Sequence, residues 1–150
     1  MKLRHSILIA FALLTTACNS APSFGKRQLR GATEPVGPYS PGIDCGDLVF
    51  LAGQIGKDPA TGALVSGGIE AETHQVLKNL GAVLNEAGLD YGDVVKSSVF
   101  LQDVDDFAAM NAIYASYFPE GGMPPVRTTV QVAAIPTGAC IEIDFIAARR

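Results

Sequence analysis

The amino-acid sequence predicts a mixed α+β domain with two amphipathic helices laid on one face of a single sheet. Three observations carry this. Residues 69–87 repeat Ile69, Thr73, Val76, Leu77, Leu80, Val83, Leu84 and Ala87 at helical spacing. Residues 124–150 read as two strands around a turn. In the first, Val126, Thr128, Val130 and Val132 alternate with Arg127, Thr129 and Gln131; in the second, Ile141, Ile143 and Phe145 alternate with Cys140, Glu142 and Asp144. The elements follow one another as β-β-α-β-α-β-β, and 150 residues suit one domain with a real core. A sheet with helices on one face only leaves a second face that another subunit would naturally cover.

Taken in order, residues 1–17 read as a signal peptide. Lys2, Arg4 and His5 make a positive start, residues 7–14 (ILIAFALL) an apolar run, and Thr15, Thr16 and Ala17 a small-residue end before Cys18. The run is too short to span a bilayer, which takes about 20 apolar residues; a buried N-terminal core helix is the competing reading. Residues 15–18 resemble a bacterial lipoprotein lipobox, with Thr15 where leucine is more usual. That resemblance implies that Cys18 is diacylated and becomes the N-terminus of a protein anchored at the periplasmic face. Asn19, not aspartate, follows it, which favours the outer membrane; soluble periplasmic secretion is the alternative. Residues 18–33 mix polar, Gly, Pro and basic residues without periodicity and read as a flexible tether, so the folded domain is expected over 34–150.

Residues 35–41 (PVGPYSP) form a rigid turn around Tyr39, either lining a site or simply packing on the core. Residues 43–51 read as a hairpin turning at Cys45, Gly46 and Asp47, with 48–51 (LVFL) as a buried strand. Gly53 and Gly56 permit close approach of backbone to a ligand or a second subunit. A long turn over 58–68 leads into the first helix, for which Gly88 is a C-cap. His74 has no second ligand at metal spacing and reads as a surface or boundary side chain. Residues 93–101 (DVVKSSVFL) form a strand, and the acids of 103–106 cap a second helix over 107–118. Phe107, Met110, Ile113, Tyr114 and Tyr117 make its core side; Asn111 falls off that stripe and reads as a surface amide.

Formal charge is −4, and loss of Lys2 and Arg4 with residues 1–17 would take it to −6. An acidic chain without a basic cluster is a poor nucleic-acid binder. No phosphate-binding glycine fingerprint is present, so no nucleotide is implied, and the lone His74 implies no metal.

The residues that carry chemistry lie in the last two strands. Arg127 and Glu142 each leave the apolar side of their own strand. A guanidinium suits a bidentate grip on a carboxylate, and a carboxylate within a few ångströms could orient or deprotonate a water. Solvated strand residues, or an ion pair between the two, remain open as bland readings.

From about Glu34 onward the chain resembles the RidA (YjgF) family of enamine/imine deaminases. The matching stretches are PVGPYSPG, LAGQIG, GLDYGDVVKSSVFLQDVDDFAAMNAIYASYF and PPVRTTVQVAAIPTGACIEIDFIAARR. The resemblance implies a chorismate-mutase-like fold, a homotrimer with clefts between subunits, and cofactor-free hydrolysis of 2-imino acids and their enamine tautomers to 2-keto acids and ammonia. It places Arg127 on the substrate carboxylate and Glu142 on the attacking water. Tyr39, Gly53, Asn111 and Thr129 fall at its substrate-binding positions. Ala52 stands where many members carry serine, and Thr129 where many carry cysteine. An exported location would require a periplasmic source of imines, such as an amino-acid oxidase or dehydrogenase. A trimeric protein that binds small carboxylates without turnover, or a membrane-tethered scaffold, are the alternatives. Cys45 and Cys140 are expected as buried free thiols, although an exported protein could pair them.

Overall fold

The computed structural model of the protein describes residues 25–149. Cys18 and residues 1–17, to which a signal peptide and lipid anchor were assigned, lie outside the described residues. The sheet holds β1 (Arg27–Leu29), β2 (Gly42–Asp44), β3 (Leu48–Ile55), β4 (Val94–Leu101), β5 (Val126–Gln131) and β6 (Ile141–Ala148) in the order β1-β2-β3-β6-β4-β5. All neighbours are antiparallel except β4 and β5, which run parallel because a helix connects them. The helices are α1 (Gly68–Glu86) and α2 (Phe107–Ala115), so the mixed α+β expectation holds.

The core lies between the helices and one face of the sheet. Val76, Leu77, Leu80, Val83 and Leu84 of α1 are fully buried against Val49, Val99, Ile141, Ile143 and Phe145. Each such side chain contributes about 1.5–3 kcal/mol. The first helix ends as expected. Gly88 takes φ 71°, its N–H donates to the Asn85 carbonyl, and the Leu89 N–H reaches back to the Leu84 carbonyl. The second helix stops three residues short of the expected 118. Ser116, Tyr117 and Phe118 donate to carbonyls three residues back, which tightens the last turn, and Pro119 follows.

Two polar side chains on the buried face of α1 tie the strand ends to the helix. Asn79 donates to the carbonyls of Ile55 (3.2 Å) and Lys57 (2.9 Å), and accepts from Gln75. Glu72 accepts the Cys140 N–H at 2.9 Å, just before β6 begins.

Three expectations are corrected. The tether assigned to residues 18–33 includes β1, which pairs with β2 and buries Leu29 completely, so the ordered domain begins upstream of Glu34. Only one apolar residue lies in this three-residue strand, too little for periodicity to show. The stretch 48–51 is buried on one side only. Val49 and Leu51 face the helices, whereas Leu48 and Phe50 are about two-fifths exposed on the other face. Finally, Cys45 and Cys140 are free but half-buried. They sit beyond opposite ends of β6, since β3 pairs Leu48 with Ala148, so at about 3.3 Å per residue they are roughly 20 Å apart. No disulfide spans that gap.

Asp44 ties β1 and the residue after β6 to β2. Its carboxylate accepts from Arg27 (3.0 Å), Arg149 (2.8 Å) and the Gly46 N–H (2.9 Å). The Gly46 N–H leads in holding the carboxyl below the usual range, partly opposed by burial and assisted by the two arginines. A depressed folded-state pKa contributes stability above the unfolded value that is lost as pH falls through the folded one. Asp44→Asn is therefore expected to lower Tm at pH 7. In paired thermal melts the gap from the parent should close as pH falls below about 4; a constant gap would contradict the linkage.

Candidate active site

Arg127 lies on the helix side of the sheet. Parallel register pairs it with Ser97, which is fully buried under the helices, and pairs Thr129 with Val99. Its guanidinium stacks over Tyr114 at 4.6 Å, lies 5.7 Å from the Phe107 ring, and donates from Nη2 to Asn111 Oδ1 at 2.6 Å. Among the described residues no carboxylate pairs with it. A cavity of about 670 Å³ opens beside it, lined by Asn111, Tyr114, Phe118, Glu120 and Pro125. Burial raises the Tyr114 phenol above its ordinary pKa, so it stays protonated at neutral pH. The hydroxyls of Ser97, Tyr114 and Thr129 are buried without a hydrogen-bond partner.

Glu142 lies on the other face. Along β6, Ile141, Ile143 and Phe145 are buried toward the helices, which turns Glu142 and Asp144 to the open side. Antiparallel register places Glu142 between Ile55 of β3 and Phe100 of β4. A break in the β3–β6 register between Leu51 and Gln54 carries Gly53 over the carboxylate. A methyl at Gly53 would overlap Glu142 Oε1 and lie 2.9 Å from Cδ. Burial and, secondarily, Asp144 raise the Glu142 carboxyl above its ordinary pKa. A second cavity of about 300 Å³ joins Glu142 to Tyr39, Gly53, Val36, Lys57 and Thr137. Tyr39 is half exposed there; its N–H donates to the Gly37 carbonyl at 2.8 Å in a tight turn.

The anticipated residues thus fall into two groups in one chain. Arg127 and Asn111 share one cavity; Tyr39, Gly53 and Glu142 share the other, across the sheet. Arg127 and Glu142 form neither an ion pair nor a common site within the chain, so the bland reading of an ion pair between them does not hold within one protomer. The period of two was right, but the core side of β5 was misassigned: its valines face the open side, with Val126 70% exposed, and α2 supplies the rings that cover Arg127. Asn111 is no idle surface amide, since it anchors Arg127. Thr129 stands on the Arg127 side but does not line that cavity.

Two lining residues had not been anticipated. Lys57 follows the glycine-rich stretch, and Thr137 is the one non-glycine residue with positive φ (62°) among the described residues. Pro136 and Gly138 beside it signal a turn, but nothing in the sequence signals its strain. Cys140 is no nucleophile: burial, then Glu72, pushes its thiol up to about 11. His74 is exposed and meets the Tyr117 hydroxyl, a boundary role as expected.

Residues 30–149 match the family model described as Endoribonuclease L-PSP. The chain belongs to the RidA/YjgF family. It is 45% identical over 116 residues to the Mus musculus 2-iminobutanoate/2-iminopropanoate deaminase, covering 77% of this chain and 84% of that protein. It is 49% identical to Reactive Intermediate Deaminase A, chloroplastic, of Arabidopsis thaliana, over 77% of this chain and 61% of that one. Among solved structures, E. coli TdcF with bound serine superposes with a TM-score of 0.79 at 36% identity, covering 83% of this chain and 100% of that one. The six-stranded sheet with two helices described above is the fold that the RidA/YjgF structures share.

Gly53→Ala tests the approach at the RidA/YjgF carboxylate directly. The added methyl must displace Glu142 or push β3 away from β6. Any activity that depends on Glu142 is expected to fall at least about tenfold, from a displacement of the order of 1 Å. Circular dichroism and steady-state assay of the variant check this, native structure with unchanged rate being the contrary result.

Proposed function

We propose that the protein hydrolyses 2-imino acids, with their enamine tautomers, to 2-keto acids and ammonia, in a cleft completed by a second copy of the chain. The observation that carries this is the division of labour between the two cavities. One holds a guanidinium without a carboxylate partner; the other holds a half-buried carboxylate with an elevated pKa. Neither half suffices alone. The open sheet face, with Leu48, Phe50, Val126 and Val130 exposed, is an apolar surface that association would bury. A homotrimer, typical of the family, brings Arg127 and Asn111 of one copy to Tyr39, Gly53 and Glu142 of the next. Deaminase names among relatives at 45–49% identity support the reaction, and the serine bound by E. coli TdcF supports a small amino-acid-like ligand.

In this reading Arg127 grips the substrate carboxylate as a fork, pre-oriented by Asn111 and the Tyr114 ring. Glu142 accepts one proton from the water that attacks the imine carbon and passes it to the nitrogen, then takes the carbinolamine hydroxyl proton and delivers it to the nitrogen as ammonia departs. Water's oxygen becomes the keto oxygen, the C–N bond breaks, and no redox change occurs. The raised pKa suits a group that must both take and give protons. Tyr39 walls the cavity, and Gly53 leaves room above the carboxylate.

The test generates imines in situ with an amino-acid oxidase and follows ammonia release and loss of semicarbazide-trapped imine. The parent is expected to accelerate both. Arg127→Ala and Glu142→Ala should each lose about 10²-fold or more, the second while still binding a small carboxylate. No acceleration by the parent over the Arg127→Ala control, across small, branched and aromatic imines, would overturn the enzyme.

The pH–rate profile supplies a separate check. Glu142 must be ionised to accept a proton, so the rate should fall on the acid side of a pKa displaced upward from the ordinary carboxylate value. Asp144 contributes to that displacement, and Asp144→Asn should move the acid limb to lower pH. A limb that stays put would mean that Glu142 is not the titrating group.

A further inference from the structure

The cavity around Glu142 contains a second charged group that the proposed reaction does not use. Lys57 lies on its wall and is half-buried, unusual for a residue type that normally keeps its length in water. Its backbone is fixed from several sides: its carbonyl accepts from the buried Asn79, its N–H donates to the Ile55 carbonyl, and it bridges to Leu64. The backbone that carries this side chain is therefore held in place just beyond the end of β3.

The ammonium has no ion-pair partner among the described residues. The neighbouring Asp58 is occupied, accepting the Ala60 N–H at 2.7 Å. Glu142 is not its partner either: both line the cavity, but no ion pair joins them. Lys57 thus stands apart from the carboxylate in the same cavity. When a second copy closes the cleft, the ammonium loses water and needs an anion to replace it. Glu142 is committed to the water, and the α-carboxylate to Arg127. The far cavity offers no alternative cation for a second anionic group, because Glu120 lies on its wall.

We infer that Lys57 is a specificity-determining residue that selects imines of amino diacids, holding the side-chain carboxylate while Arg127 holds the α-carboxylate. This rests on the deaminase reading above and narrows its substrate class. The reaction is the same hydrolysis, converting a 2-imino diacid and water to a 2-keto diacid and ammonia. The reaction that supplies the substrate is then the two-electron oxidation of an acidic amino acid.

The experiment compares 2-iminoglutarate with 2-iminobutanoate, both generated in situ by oxidases, for the parent, Lys57→Met and Lys57→Arg proteins. The ratio of kcat/KM for the diacid imine to that for the monoacid imine is expected to fall about tenfold in Lys57→Met, chiefly through KM. It should be largely restored in Lys57→Arg. Binding of the stable products 2-oxoglutarate and 2-oxobutanoate, measured by calorimetry, gives a readout independent of turnover, and the same ratio should shift there. An unchanged ratio in both measurements overturns the role of Lys57 while leaving the deaminase standing. A Lys57-dependent preference for 2-oxoglutarate without imine turnover would instead remove the deaminase and support the diacid site.

Discussion

The Glu142 half of the site depends on the alternation along β6. This strand sits between β3 and β4, and Ile141, Ile143, Phe145 and Ala147 are buried beneath the helices. Because successive side chains must alternate, that burial leaves Glu142 no choice of face. A shift of one residue in register would put two carboxylates, Glu142 and Asp144, into the core and four apolar side chains outside, so the hydrophobic term that holds the sheet together also aims Glu142. The two polar residues on the buried side of α1 serve the same end. Glu72 holds the backbone just before β6, and Asn79 holds the end of β3, so the strand ends that flank the Glu142 cavity are tied to one rigid helix.

Arg127 is governed by a different constraint. It lies on β5, an edge strand whose helix-side neighbours are rings and an amide. Neutral partners fix the guanidinium plane without neutralising its charge, which a carboxylate in the same position would do. Lysine could not replace it, since a point charge neither stacks on Tyr114 in a set plane nor offers a fork. The three orphaned hydroxyls behind it, Ser97, Tyr114 and Thr129, are costly to bury unpaired. They are tolerated on the one side of the sheet where the interior turns polar.

The positions at which simple rules fail cluster around the Glu142 cavity. Thr137 holds a left-handed backbone, the β3–β6 register breaks beside Gly53, and half-buried Lys57 has no ion-pair partner among the described residues. Each departs from what a stability optimum would choose, and each borders the Glu142 cavity. Local strain and unpaired charge concentrated at one place are what a binding site costs an otherwise consistent fold.

Much of this was legible in the sequence. The helix stripe of 69–87, the Gly88 cap and the alternation of the last strands are local patterns with periods of 3.6 and 2, and they found both helices and most strands. The same alternation picked out Arg127 and Glu142 as side chains leaving an apolar row. Sequence by itself could not say which row of an edge strand meets the core, because Val126 and Val130 look like core and are exposed. That was decided by α2, whose Phe107, Asn111 and Tyr114 come from 13 to 20 positions away to cover Arg127. The separation of Arg127 from Glu142, the roles of Asn79 and Glu72, and the presence of Lys57 in the Glu142 cavity are likewise tertiary facts. They arise from contacts between elements distant in the chain, which no local period encodes.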